Sequence, residues 1–174
     1  MRRPIALLAV AALLAALAGC GRGTGTRGGS PPGASSIAEV GQNAPRFSDP
    51  LSTGGTLNSA SLRGKPVYLN FFASWCPPCN EEAPTINALQ KEFSKDGLLV
   101  IGVDELENAA DANEFREKYG LVYPIVVDSG ELEDQYGVYG LPVHVFIERD
   151  GVIKEIETGE MTRPEIERAI KSIL

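Results

Sequence analysis

Apolar and polar residues follow regular patterns from about residue 40 to residue 174, whereas residues 21–36 show no such pattern. Stretches 46–51 and 56–62 flank the turn-forming sequence Ser52-Thr53-Gly54-Gly55, which predicts a β-hairpin. Short apolar runs predict buried strands, and apolar residues spaced three and four apart predict helices. The remaining predicted strands cover residues 67–72, 98–103, 123–127, 143–147 and 152–157. The predicted helices cover residues 78–94, 109–119, 131–136 and 163–173.

The order of these elements defines a fold class. After the hairpin, a strand–helix–strand segment comes first, and two adjacent strands followed by a helix close the chain. This order predicts an α/β domain over residues 40–174, with a mixed central sheet and helices on both faces. Gly120 ends one predicted helix, and Thr162 is the predicted cap of the closing helix.

Composition and charge exclude several classes of function. The chain has 174 residues, 43% of them apolar, which suffices for one domain with a sizeable core. The formal net charge of the chain is −7 and the predicted domain has no basic stretch, so we expect no nucleic-acid partner. No flavin, nucleotide or metal motif is present in the sequence, and we therefore expect no dissociable cofactor and no bound metal ion.

The N-terminus has the pattern of an export signal. Two arginines precede an apolar stretch, residues 5–18, that is short for a membrane span and suited to a signal-peptide core. The sequence Leu17-Ala18-Gly19-Cys20 resembles the bacterial lipobox, in which the cysteine is lipidated and becomes the first mature residue. We therefore predict a lipoprotein signal peptide over residues 1–19, and a lipidated Cys20 with a flexible tether over residues 20–39. The alternative is an uncleaved anchor, or a chance cysteine after a plain signal.

The sequence Trp75-Cys76-Pro77-Pro78-Cys79 lies between the predicted strand 67–72 and the helix that follows it. Two cysteines separated by two residues in this context are typical of a dithiol redox site. At a helix start, Cys76 feels the positive end of the helix dipole, which favours the thiolate and makes the sulfur nucleophilic. Cys79 follows about one turn later and can close a disulfide with it. Half of a zinc site with His144, or a purely structural disulfide, is the alternative.

Several stretches of the chain carry a resemblance to a known family, namely Asn70–Cys79, Glu81–Pro84, Gly137–Pro142, and the opening Gly41–Phe47 with Leu62–Pro66. They resemble the TlpA/ResA-like thiol-disulfide oxidoreductases, membrane-tethered members of the thioredoxin superfamily with an AhpC/TSA-like redoxin domain. The resemblance covers about residues 40–174 and implies a thioredoxin-like fold. Segment 103–137 matches a strand and a helix that this group inserts into the basic plan.

The resemblance implies that Cys76 and Cys79 form the redox-active disulfide. Pro142 matches the family's cis-proline, so the Leu141–Pro142 bond is expected to be cis and to lie against the cysteines. The backbone of Leu141 can then pair with an extended substrate segment by strand addition. Val143 stands where the family often has threonine, so no hydroxyl contact is expected there. The alternative is an ordinary trans proline at the start of a strand.

Glu82 matches a glutamate that this group places near the cysteines. It follows Cys79 by three residues, and a partly buried carboxyl there could accept or deliver the proton of the resolving thiol. The alternative is a solvated helix glutamate. Asn70 stands where thioredoxin has an aspartate and cannot titrate, which shifts any proton relay to Glu82. Pro84 is expected to bend the helix.

Side chains beside the cysteines are candidates for contact with a substrate protein. Trp75 would shield one side of the site and offer apolar contact, or else be a plain core tryptophan. Pro77 and Pro78 offer neither a backbone N–H nor a charge, so we expect a disulfide that is not a strong oxidant. His144, the only histidine, lies in a predicted strand, where a packed side chain is the ordinary case and a contact near the redox site the alternative.

These features predict a membrane-tethered, extracytoplasmic thiol-disulfide oxidoreductase. Cys76 would attack a disulfide of an envelope protein, and Cys79 would resolve the mixed disulfide. The resemblance implies an apocytochrome c as client, during cytochrome c maturation, and a membrane thiol transporter of the CcdA/DsbD kind as electron donor. The alternatives are a Sco-like copper-handling protein, whose cysteines are usually three residues apart, and a thiol peroxidase, which usually has a solitary reactive cysteine.

Overall fold

The domain opens with the β-hairpin that the sequence predicts. The structure is a computed structural model that describes residues 37–174. Strands β1 (Ser48–Pro50) and β2 (Thr56–Asn58) pair antiparallel and form a small sheet of their own. Residues 59–62, expected to continue β2, form a 3₁₀ turn instead. The side chain of Asn58 caps this turn by accepting the N–H of Ala60 at 2.9 Å, which competes with strand pairing.

A five-stranded sheet forms the centre of the domain and confirms the predicted mixed sheet. Strands β3, β4 and β5 are parallel to one another, whereas β6 pairs antiparallel with both β3 and β7. The strands lie in the order β5-β4-β3-β6-β7. Their bounds are β3 (Val67–Phe72), β4 (Leu99–Glu105), β5 (Ile125–Asp128), β6 (Val143–Ile147) and β7 (Ile153–Thr158).

Four helices lie close to their predicted bounds. The first begins and ends one residue earlier than predicted and continues through Pro84 without a break. The last begins at the predicted cap, where Thr162 and Glu165 form a capping box. The helices are α1 (Pro77–Phe93), α2 (Ala109–Tyr119), α3 (Glu131–Tyr136) and α4 (Arg163–Ile173).

The helices cover both faces of the sheet, as the fully buried strand β3 requires. Tyr68 and Phe72 belong to an apolar cluster with residues of α1, α2 and α4. Leu69 and Phe71, which point to the other face, pack in a cluster with α3, and residues of the hairpin flank it. The redox sequence follows β3 directly, so both clusters hold its position.

Strand β4 is longer than the sequence predicts. It ends at Glu105 rather than at Val103, because Asp104 still pairs with Phe72 of β3 and Glu105 pairs with Asp128 of β5. The apolar run stops before these two residues, so the strand was predicted to end at Val103. Backbone pairing nevertheless continues to Glu105. Two acidic side chains are therefore buried at the carboxyl end of β4, beside the strand that leads to the cysteines.

Packing begins shortly before residue 40. Ala38 is buried, and its N–H donates to the carbonyl oxygen of Gln135 at 2.8 Å. The predicted tether thus meets the domain near residue 38. The predicted signal peptide over residues 1–19, the lipid on Cys20 and the tether up to residue 36 lie outside the described residues. Between residues 37 and 174, no helix has the length and apolar character that crossing a membrane requires.

Candidate active site

The two cysteines lie where β3 gives way to α1. Cys76 caps the helix and Cys79 lies in its first turn, with the sulfur atoms 2.10 Å apart. Pro77 and Pro78, the first two helical residues, have no N–H. The first free helical N–H is therefore that of Cys79, and it donates to the sulfur of Cys76 at 3.4 Å. This donor and the helix dipole favour negative charge on the Cys76 sulfur.

Hydrogen bonds hold the turn before the cysteines. Glu107 accepts the N–H and the hydroxyl of Ser74, both at 2.6 Å. Asn80 donates to the carbonyl oxygens of Ser74 and Cys76, both at 2.8 Å, and accepts the hydroxyl of Tyr119 at 2.6 Å. The turn is thereby tied to α1 and α2. The roles of Asn80 and Glu107 could not be predicted from the sequence, because only the fold brings the segment before α2 to this turn.

The Leu141–Pro142 bond is cis, as predicted, which excludes the trans alternative. It lies directly before β6, whose first residue, Val143, pairs with Phe71 near the end of β3. The redox turn leaves β3 at this same end, so Pro142 is brought to the cysteine pair by strand pairing. Leu141 forms no hydrogen bond with another backbone group within residues 37–174. Its backbone is therefore available to a bound segment.

A groove of about 600 Å³ opens beside Cys76. Trp75 and Tyr139 are 70% and 91% exposed, so Trp75 is not a core residue. Pro77 and Leu141 also line the groove, so three of the four predicted contact residues, all but Pro142, surround the attacking sulfur there. Exposed apolar and aromatic groups with a free backbone edge suit an extended polypeptide segment.

The predicted carboxyl of Glu82 is buried, so it is not the solvated helix glutamate of the alternative. The N–H of Met161 donates to Oε1, and Oε2 lies 3.6 Å from Nε2 of His144. Burial raises the pKa of Glu82 to about 7, the hydrogen bond from Met161 opposes this rise, and the charge of Glu160 adds to it. A carboxyl with this pKa exchanges its proton near neutral pH.

His144 is fully buried, as the ordinary case for a strand histidine predicts, and it also adjoins Glu82. The hydroxyl of Tyr68 lies 2.7 Å from Nδ1, and the carbonyl oxygen of Gly159 lies 3.1 Å from Nε2. Burial lowers the pKa of His144 to about 4, partly offset by the bond to Gly159, so the ring is neutral at neutral pH. Nothing in the apolar pattern of β3 marked Tyr68 as a polar partner.

Asp104 and Glu105 form a second acidic region, on the β4 side of the cysteines. None of their four carboxyl oxygens has a hydrogen-bond partner within the described residues. Burial raises the pKa of Asp104 to about 9, and the neighbouring carboxyl of Glu107 adds to this rise. Burial raises the pKa of Glu105 to about 8, and the charges of Asp128 and Glu133 add to this rise. Glu105 and Glu133 also line the groove beside Cys76. This region was not predicted, although two acidic residues directly after an apolar strand are a signal that the sequence contains.

No three histidine, cysteine, aspartate or glutamate side chains of residues 37–174 are grouped so that they could hold a metal ion. The ring nitrogens of His144, which the zinc and copper alternatives would use, contact Tyr68 and Gly159 instead.

A thioredoxin-like sheet with a CxxC disulfide at a helix start and a cis-proline beside it defines the class of thiol-disulfide oxidoreductases. Comparison with known proteins agrees, since the chain belongs to the AhpC/TSA family, whose model matches residues 40–156. The chain is 37% identical over 135 residues to the thiol-disulfide oxidoreductase ResA of Geobacillus kaustophilus, an alignment that covers 77% of this chain and 78% of that relative.

Solved structures support the same class. A thiol:disulfide interchange protein from Chlorobium tepidum superimposes with a TM-score of 0.71 at 27% identity and covers 79% of this chain and 99% of its own. The exposed lipoprotein thioredoxin of Streptococcus pneumoniae superimposes with a TM-score of 0.62 at 30% identity and covers 74% of this chain and 99% of its own. The protein is therefore a thiol-disulfide oxidoreductase with a thioredoxin-like fold.

Proposed function

We propose that this protein is tethered to the outer face of a bacterial membrane and reduces disulfide bonds of extracytoplasmic proteins. The observation that carries the proposal is the position of Cys76. This residue caps α1, receives the first free helical N–H, and lines a groove with an exposed aromatic rim. An attacking sulfur in that position meets the disulfide of a docked polypeptide.

The reaction proceeds by two exchanges. The Cys76 thiolate attacks one sulfur of the client disulfide; a Cys76–client bond forms, the client S–S bond breaks, and the released client thiolate takes a proton from solvent. The Cys79 thiol then gives its proton to Glu82 and attacks the sulfur of Cys76. The second client thiolate leaves and is protonated by solvent. Two electrons pass to the client, and the enzyme is left with the Cys76–Cys79 disulfide.

Client recognition uses the groove and the loop before β6. The backbone of Leu141 pairs with an extended client segment beside Pro142, while Trp75 and Pro77 contact its apolar side chains. This mode depends little on client sequence, because main-chain groups supply most of the hydrogen bonds. It suits a reductase that acts on unfolded chains, such as an apocytochrome c before haem attachment.

The enzyme needs an external reductant, because the envelope is an oxidising compartment. A membrane thiol transporter of the CcdA/DsbD kind would supply electrons to the Cys76–Cys79 disulfide. The resemblance of the redox sequence to TlpA/ResA-like proteins supports this donor and the cytochrome client. The lipobox at Cys20 supports a lipid tether, and one structural relative is itself a lipoprotein thioredoxin.

Trapping of the mixed disulfide tests the function. The full-length Cys79→Ala variant, expressed in a bacterial envelope, should stall as a covalent adduct on Cys76, and mass spectrometry of the adduct identifies the client. Cys76→Ala is the matched control and should trap nothing. Failure of the purified wild-type protein to accelerate insulin reduction by dithiothreitol would overturn the proposal. The tether has its own test, since Cys20→Ala should abolish incorporation of radiolabelled palmitate and release the protein from membranes.

A further inference from the structure

Three polar side chains from separate elements meet in the core on the β6 side of the cysteines. Tyr68 comes from β3, His144 from β6 and Glu82 from α1, and each is at most 4% exposed. Buried polar groups are costly unless they are hydrogen-bonded. A reason beyond packing is therefore expected for this cluster, which adjoins a carboxyl that the proposed mechanism uses.

The contacts define which nitrogen of His144 carries the proton. Nε2 lies 3.1 Å from the carbonyl oxygen of Gly159, which can only accept, so Nε2 must carry the hydrogen. Nδ1 therefore has the lone pair, and it accepts the hydroxyl of Tyr68 at 2.7 Å. The carbonyl of Gly159 thus fixes the tautomer with the N–H on Nε2, and the hydroxyl of Tyr68 orients the ring so that this nitrogen lies on the side of Glu82.

One carboxyl oxygen of Glu82 accepts a hydrogen bond and the other does not. Oε1 accepts the N–H of Met161, whereas Oε2 has no hydrogen-bond partner within residues 37–174. Oε2 lies 3.6 Å from Nε2 of His144, too far for a hydrogen bond but close enough to form one after a small movement. This geometry belongs to the disulfide state, in which Glu82 has already accepted the Cys79 proton in the proposed mechanism.

We propose that His144, oriented by Tyr68, is a positioning residue whose Nε2–H turns from the carbonyl oxygen of Gly159 to the ionised Glu82 carboxylate in the reduced enzyme, donates a hydrogen bond to it and holds it ready to take the Cys79 proton. The inference rests on the proposed function, since it assigns a role within the resolving step. When Glu82 takes the proton, its charge and the bond to His144 are lost, and the geometry returns to that of the disulfide state.

The surroundings of Glu82 make this donor important. The titratable groups that interact with the carboxyl are Tyr68, His144, Tyr123 and Glu160, and the charge of Glu160 opposes ionisation. In the disulfide state the N–H of Met161 donates to this carboxyl, and the Nε2–H of His144, which donates to Gly159 there, is a second donor within reach of Oε2. The lowered pKa of His144, about 4, means that the ring stays neutral and donates a hydrogen bond without taking the proton itself.

The test measures the resolving step alone. A mixed disulfide between Cys76 and a fluorescent peptide thiol is prepared on the reduced full-length protein, and peptide release by Cys79 is followed from about pH 5 to pH 9. The wild-type rate should rise with an inflection near the Glu82 pKa, about 7. His144→Leu should move the inflection upward by about one pH unit, because a charge-assisted hydrogen bond is lost. His144→Gln keeps an N–H donor and should restore most of the profile.

Tyr68→Phe is the milder variant and keeps the test decisive if His144→Leu does not fold. It removes the hydrogen bond from the Tyr68 hydroxyl to Nδ1 that orients the ring, and it should move the inflection in the same direction by a smaller amount. Tyr136→Phe is its matched control, because that hydroxyl is also buried but lies in the cluster on the other face of the sheet. In a Glu82→Gln background, His144→Leu should change nothing further in the pH profile.

The outcomes separate the inference from the function on which it rests. If the wild-type protein reduces no protein disulfide, the proposed function fails. If it does, but neither Tyr68→Phe nor a folded His144→Leu moves the inflection, His144 is a packing residue and the inference is wrong. An equal shift by His144→Leu in the Glu82→Gln background would also overturn it.

Discussion

Buried carboxyls lie on both sides of the redox pair, and they differ in what surrounds them. On the β6 side, Glu82 has the N–H of Met161 on one oxygen and His144 near the other. On the β4 side, Asp104 and Glu105 have no hydrogen-bond partner within the described residues. Burial raises the pKa of all three, to about 7 for Glu82 but to about 9 and 8 for the other two.

The comparison shows how one small site can hold several carboxyls with different roles. The N–H of Met161 opposes the rise in the pKa of Glu82 and so keeps its proton exchangeable near neutral pH, where the resolving step needs it. Without donors, Asp104 and Glu105 keep their protons at neutral pH. The groove beside Cys76 therefore gains no negative charge from Glu105, and a negative charge there would disfavour the thiolate.

The largest expected effect follows from removing the exchangeable carboxyl. Glu82→Gln should slow the resolving step by about 100-fold at neutral pH, because a positioned acid–base group is lost, and should flatten its pH profile. Stopped-flow release of a peptide from the Cys76 mixed disulfide measures this rate. The neighbouring Glu81→Gln changes an exposed side chain and should keep the wild-type profile. Equal slowing by both variants would contradict the role of Glu82.

The unpartnered carboxyls should affect stability rather than resolution. The pKa of Asp104 rises from 3.8 to about 9, so the folded state keeps a proton that the unfolded state loses between these values. Its contribution to stability is therefore present at low pH and is lost as pH rises toward about 9. Asp104→Asn removes this loss. Relative to its effect at about pH 5, the substitution should raise the free energy of unfolding at about pH 8 by about 4 kcal/mol.

Urea unfolding of the disulfide form at both pH values measures the effect of Asp104→Asn. The control is Asp134→Asn, which changes an exposed carboxyl on α3 and should leave the pH dependence unaltered. A loss of stability in Asp104→Asn that is equal at both pH values would mean that Asp104 is ionised in the folded protein.

The smallest effect is expected for the carboxyl that lines the groove. Glu105→Gln should leave the alkylation rate of reduced Cys76 unchanged at about pH 7, because Glu105 is already neutral there. Above about pH 8 the wild-type side chain ionises and disfavours the nearby thiolate, so the variant should react about twofold faster. Iodoacetamide labelling across this pH range measures the difference. A clear acceleration at pH 7 would show that Glu105 carries charge beside Cys76.

Much of the fold could be predicted because it depends on residues that are close together in the sequence. Periodic apolar residues, Gly120 and the Thr162 cap located α2, α3 and α4, and the uniform apolar run located β3. The errors have two causes, tertiary strand pairing that overrides local polarity and a local side-chain cap that the strand pattern did not reveal. The polar residues Asp104 and Glu105 stay in β4 because neighbouring strands pair with them, and residues 59–62 leave the hairpin because Asn58 caps a turn.

The candidate site also has one part that the sequence predicts and one part that it does not. Cys76, Cys79 and Pro142 could be identified from sequence, since spacing and context carry their chemistry. The surroundings of the carboxyls could not, because their partners lie far apart in the chain. His144 meets a residue 76 positions earlier, and Glu82 accepts an N–H from 79 positions later.

By itself, the sequence determined the redox chemistry and the fold class, because a helix-capping cysteine and periodic burial depend on neighbouring residues. The tertiary structure alone decided which buried carboxyl can exchange a proton near neutral pH. That property depends on desolvation and on donors contributed by distant strands and loops, and these come together only when the chain is folded.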